Sequence, residues 1–149
     1  MGRRTKAREC AFQMLYQWDA TRASMEQVER DYWRLRSTTD ETRARAEGLA
    51  RGTAALVAEI DEAIKAAATN WRFERIAAVD RTVLRLGAYE LMKEAETPAP
   101  VIIDEAVELA KRFGEADSHA FVNGVLDAIR RKVRDVAAAS PPARRTGGA

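Results

Sequence analysis

Residues 70–92, NWRFERIAAVDRTVLRLGAYELM, constrain the fold more than any other stretch. Ile76, Val79, Val83 and Leu86 recur at three- and four-residue steps, the spacing of one helix face. Leu84, Ala88 and Leu91 widen that face to one side. A helix apolar over so broad an arc needs neighbours on more than one side, which puts it at the centre of a helical assembly. Arg81 and Arg85 lie one turn apart on the remaining face and are expected to point outward. Gly87 in mid-helix costs about 1 kcal/mol relative to alanine, so it is expected where a second helix crosses closely.

The flanking sequence reads as further helices. A first helix is expected over residues 5–20, with Ala7, Ala11, Met14, Leu15 and Trp18 as its inner stripe and Cys10 beside it as a small packing residue. Ser24, followed by Gln27, has the spacing of a capping box and opens a second helix with Met25, Val28, Tyr32 and Leu35 inward. Thr38 and Glu41 repeat that signal ahead of a longer helix. There Ala46, Leu49, Thr53, Leu56, Ile60 and Ile64 keep the helical period for about six turns. Gly48 and Gly52, one turn apart, would admit a neighbouring backbone.

Asn70 and Trp71 interrupt the pattern, and a short turn at 73–76 leads into the central helix over 79–95. Pro98 and Pro100 end that helix and start the next, because proline cannot continue a helix but suits its first turn. Ile102, Ala106, Leu109, Ala110 and Phe113 point inward, and Gly114 is expected as a left-handed cap. Asp117 or Ser118 starts the last helix, with Val122, Val125, Leu126, Ile129 and Val133 inward. Nothing before Asn70 alternates with the period of a strand. The chain therefore reads as all-α: about seven helices in two packed subdomains, residues 5–68 and 70–136. Residues 137–149 turn to Ala, Ser, Pro, Arg and Gly, the composition of a disordered tail.

Charge narrows the function. The net charge is only +2, yet Arg3, Arg4, Lys6 and Arg8 crowd the start, and Arg130, Arg131, Lys132 and Arg134 crowd the last helix. Such clustering fits a polyanionic partner, and it equally fits two solvated helix ends. No apolar run approaches a membrane span, and the N-terminus lacks the apolar core of a signal peptide, so a cytoplasmic location is expected. A single cysteine, Cys10, rules out an internal disulfide and a cysteine-rich zinc site.

Catalytic chemistry finds no footing. Asp117, Ser118 and His119 are consecutive at a helix start, so they do not point at one another as a relay requires. Asp104, Glu105 and Glu108 offer carboxylates for a hard cation, but acids near a helix N-terminus are accounted for by the macrodipole. No glycine-rich phosphate loop is present. The expectation is a protein that is not an enzyme and uses neither cofactor nor metal.

Three blocks carry a family likeness: RRTKARECAFQMLYQWD at the start, NWRFERIAAVDRTVLRLGAYEL at the centre, and VIIDEAVELAKRFGEADSHAFVNGVLD near the end. In this order and spacing they resemble the NusB family of bacterial transcription antitermination factors, over nearly the whole chain to Arg134. The likeness between Thr21 and Glu59 is one of helix pattern alone. The resemblance implies an all-α fold of two helical subdomains and a non-enzymatic role. It implies pairing with the small-subunit ribosomal protein known as NusE, binding of the single-stranded boxA element of nascent RNA, and entry into the RNA polymerase antitermination complex to support rRNA transcription.

Carried over by position, the resemblance implies RNA contacts at Arg3, Arg4, Lys6, Arg8, Asp80, Arg85 and Phe121, with Tyr16 serving RNA or NusE. On a helical wheel Phe121 falls at the edge of the apolar face, with the short residues Asp117, Gly124 and Ala128 on its outer side. An aromatic so placed can act as a platform for an unstacked base, or can cap the core beneath another helix. The family also includes homodimers. Two other readings stand beside it. One is a detached domain of the kind fused to RNA cytosine methyltransferases, since the chain ends before any cofactor-binding domain. The other is a helical protein-interaction module without RNA.

Overall fold

Every residue from Thr82 to Ala88 is buried, a full circumference of helix, in the computed structural model, which describes residues 2–135. This is α5 (Ala78–Lys93), and it packs against α1 (Arg3–Thr21), α3 (Asp40–Ala55), α4 (Val57–Ala67), α6 (Ala99–Phe113) and α7 (Ser118–Arg130). The broad apolar arc of the sequence thus becomes the axis of the molecule. The remaining elements are α2 (Met25–Arg34), a 3-10 turn at Phe73–Arg75 and a π turn at Arg131–Asp135. No strand occurs among the described residues, and none of their helices is long and apolar enough to cross a membrane. The tail expected from residue 137 lies outside the described residues.

The helix starts follow side-chain capping. Ser24 accepts from the Gln27 amide at 3.1 Å. The next cap is Thr39 rather than Thr38: its hydroxyl accepts from the Thr42 amide at 3.1 Å and donates to the Thr42 hydroxyl at 2.9 Å. Gly114 differs from its expected role. Its φ of −100° is extended, whereas Arg22, with φ 64°, supplies a left-handed cap at the end of α1. Leu35, expected inward, is exposed, because α2 ends at Arg34 and Leu35 falls outside its inner face.

The long helix expected after Thr38 is two helices. It breaks at Leu56, where φ is −108° and ψ is 20°. The helix α3 packs chiefly on α1, while α4 turns away to pack on α5 and α7. The apolar period runs straight through the break, because Ile60 and Ile64 are buried just as Leu49 and Thr53 are, but against different partners. By packing, α4 belongs with the second group of helices, although the sequence boundary near residue 69 places it in the first.

Two glycines set helix spacing. A methyl on Gly87 would lie 2.8 Å from the Leu126 side chain of α7, so the mid-helix glycine does mark a close crossing. Gly52 faces the Tyr89 ring, which a methyl would overlap; Gly48 faces open space. The expected close approach therefore involves one glycine of the pair and a side chain, not a backbone.

Candidate nucleic-acid interface

The first helix divides its cations between surface and interior. Arg4 is exposed and lines a cleft of about 350 Å³ with Glu41, Thr42 and Arg45. Lys6 is exposed and lines a second cleft, of about 250 Å³, with Tyr32, Trp33 and Arg36 among its walls. Arg8 is not at the surface. It is 3% exposed, and its Nε donates to both Glu90 oxygens at 3.0 and 2.9 Å. One turn in α1 separates Arg4 from Arg8, yet the second lands on α5 and the first on solvent. The expected phosphate contact at Arg8 is thus replaced by a charge-assisted lock between α1 and α5. Arg45 extends it, with Nη1 2.7 Å from Glu94. The Arg3 side chain lies outside the described residues.

Tyr16, 42% exposed, opens onto a groove of about 330 Å³ with Phe12, Val79 and Phe113 beneath it. Arg36 lines both this groove and the Lys6 cleft, so Lys6, Arg36 and Tyr16 form one continuous surface. The Arg36 guanidinium also lies 4.3 Å from the centre of the Tyr32 ring. Burial pushes the Tyr32 hydroxyl well above the ordinary tyrosine range, and its neighbour Cys10 adds to the rise.

The expected outward face of α5 is corrected by the structure. Arg85 is 8% exposed; its Nε and Nη2 reach Asp61 at 2.8 and 2.9 Å, and its Nη1 reaches Asp19 at 3.0 Å. Arg81 reaches Asp19 at 2.7 Å and the Ile76 carbonyl at 2.9 Å. Together they tie α5 to α1 and α4. Burial pushes the Asp19 carboxyl up, but the hydrogen bonds from the two arginines outweigh it and hold the group below the ordinary aspartate range. Arg85 is held above the ordinary range for the same reason: burial opposes its charge, and Asp61 and Asp19 overcome that. A residue so engaged supports the site rather than greeting a polyanion. Asp80 is different. Its Oδ1 is buried without a hydrogen-bond partner among the described residues, an unsatisfied acceptor in the first turn of α5.

Phe121 is half-buried, and its outer side is as bare as its helix suggests: a methyl on Gly124 would meet nothing within 4 Å. The cover comes from another element. Trp71, in the turn after α4, places its ring 5.0 Å from Phe121 at 65°. Trp71 is itself 60% exposed. The sequence marked this tryptophan only as an interruption of the helical pattern; its exposure has no signature in one sequence.

The second basic cluster is mostly occupied. Arg130 and Arg131 pair with Asp127 at 2.9 and 2.6 Å. Arg134 reaches back to α5 and donates to the carbonyls of Leu91 at 2.8 Å, Thr97 at 3.1 Å and Glu94 at 3.1 Å. It satisfies the carbonyls that a helix end leaves unpaired. Among the described residues no group of three His, Cys, Asp or Glu side chains is arranged to hold a metal ion.

The NusB family profile matches residues 5–131. The transcription antitermination protein NusB of Sorangium cellulosum (strain So ce56) is 54% identical over 129 residues, covering 87% of this chain and 92% of that protein. A solved structure of T. maritima NusB superposes with a TM-score of 0.80 at 35% identity, covering 89% of this chain and 92% of that one. A crystal structure of the antitermination factors NusB and NusE in complex with double-stranded RNA matches at TM-score 0.80 and 27% identity, over 89% of this chain and 98% of its counterpart. By sequence across most of its length and by fold, the chain belongs to the NusB family, transcription antitermination proteins rather than enzymes.

Proposed function

We propose that this protein binds boxA-type single-stranded RNA together with NusE, joins the transcribing RNA polymerase complex in the cytoplasm, and supports rRNA transcription. The observation that carries the reading is the likeness to a NusB that was solved with NusE and RNA, at a TM-score of 0.80. The surface supports it: exposed cations at Arg4 and Lys6 stand ready for phosphates, and exposed aromatics at Tyr16 and beside Phe121 stand ready for bases. Arg3 joins the phosphate contacts. Asp80, part-exposed in the first turn of α5, accepts from a base amino group or from the protein partner. Arg8 and Arg85 act through the helices they hold.

Filter binding of a boxA-like RNA, with and without NusE, tests the reading. Tighter retention with NusE than without is the expected result. Retention equal to that of a scrambled RNA in both conditions would overturn it and favour an interaction module without RNA.

A further inference from the structure

We propose that Trp71 is a base-stacking surface of the RNA site, held in position by Phe121; the inference rests on the RNA-binding reading above. An indole that leaves most of its area in water is a poor use of a large apolar side chain unless something covers it. Trp71 is 60% exposed, yet it is not loose. Its amide donates to the Ala68 carbonyl at 3.1 Å, and its ring meets Phe121 at 65°, an edge-on contact that fixes the indole while leaving its area open. Order without cover is the arrangement a stacking partner requires, because the cost of fixing the ring is met before binding.

The surroundings favour a nucleic-acid base over a protein side chain. Arg72 and Arg75 follow Trp71 within four residues, both exposed, and neither forms an ion pair among the described residues. Glu74 is the single acid between residues 70 and 75. An exposed ring with two exposed cations close behind it in the chain matches a base with its phosphates. Phe121 then serves chiefly as a wall behind the indole, and the bare Gly124 leaves room along α7 for the nucleotide.

The experiment titrates wild type, Trp71→Phe and Trp71→Ala with boxA-like RNA in the presence of NusE, reading filter retention and tryptophan emission together. Trp71→Ala is expected to weaken RNA binding about 5- to 150-fold with no change in salt slope, since a stacking contact releases no counterions. Trp71→Phe should retain most of the affinity. RNA should quench wild-type emission, and Trp71→Phe should abolish that quench. Unaltered retention by Trp71→Ala, with wild type still binding, overturns the stacking role and leaves the RNA reading intact. Absence of retention by wild type removes both. Emission that responds to NusE alone and not to RNA assigns Trp71 to the protein partner and overturns the proposal.

Discussion

Arg8 and Glu90 stand 82 residues apart in the chain and form a buried ion pair, the Arg8 Nε within 3.0 Å of both carboxylate oxygens. The pair joins the helix that opens the chain to the helix at its centre. Removing Arg8 leaves the buried Glu90 carboxylate with only Arg45, 3.8 Å away and not hydrogen-bonded to it. Arg8→Ala should therefore lose roughly 3–5 kcal/mol of stability, while an Arg8→Met/Glu90→Leu double variant should recover most of it. Urea denaturation of the three proteins checks this. Equal losses in the single and double variants would contradict it.

The surface cations behave otherwise. Arg4→Ala and Lys6→Ala should each shallow the plot of log affinity against log salt by roughly 0.7, the value for one phosphate on a single strand. Arg8→Ala should leave the slope of its folded fraction unchanged. A slope change at Arg8 as large as at Arg4 would show that the buried pair opens to bind RNA.

Acid should loosen the junction of α1, α4 and α5. The Asp19 carboxyl is held below the ordinary aspartate value of 3.8. A lowered folded value means stability that is fully present above the unfolded value and lost as pH falls through the folded one. Asp19→Asn should lower the melting temperature at neutral pH and flatten its fall on acidification. Parallel curves for wild type and variant from neutral pH down to about pH 2 would assign the acid sensitivity to other carboxylates.

Gly87 and Leu126 form a coupled pair. Gly87→Ala improves helix propensity by about 1 kcal/mol but drives a methyl to 2.8 Å from a fully buried leucine. Overpacking of this kind costs roughly 1–3 kcal/mol, so a net loss is expected. Trimming Leu126 to alanine should cost less in the Gly87→Ala background than in wild type. Additive losses in a double-mutant cycle would mean that the two helices separate without strain.

The helices and the central place of α5 were legible because apolar spacing is a local property. Ile76, Val83, Leu86 and Leu91 announce their burial without reference to anything distant. The break at Leu56 was not legible. Leu56, Ile60 and Ile64 keep the period of the preceding helix, and periodicity reports that a side is buried, not what buries it. The same limit governed the site. Arg4 and Arg8 are alike in sequence, and what parts them is Glu90, which lies far along the chain. Arg85 lost its outward role to Asp19 and Asp61 for the same reason. Phe121 was placed at the rim of its helix by spacing alone, but the tryptophan that meets it arrives from a turn that no periodic signal describes.

The departure of α4 from α3 bears on how the molecule could be taken apart. A protease nick near Asn70 looks like a cut between halves, yet it would sever α4 from the chain of α5 and α7, its main packing partners. The N-terminal piece, expressed alone, would present Ile60 and Ile64 to water and aggregate or recruit a substitute. Supplied together, the two pieces should instead reassemble, because each carries surface that the other completes. The two groups of helices are thus interlaced, and their integrity is a property of the whole chain.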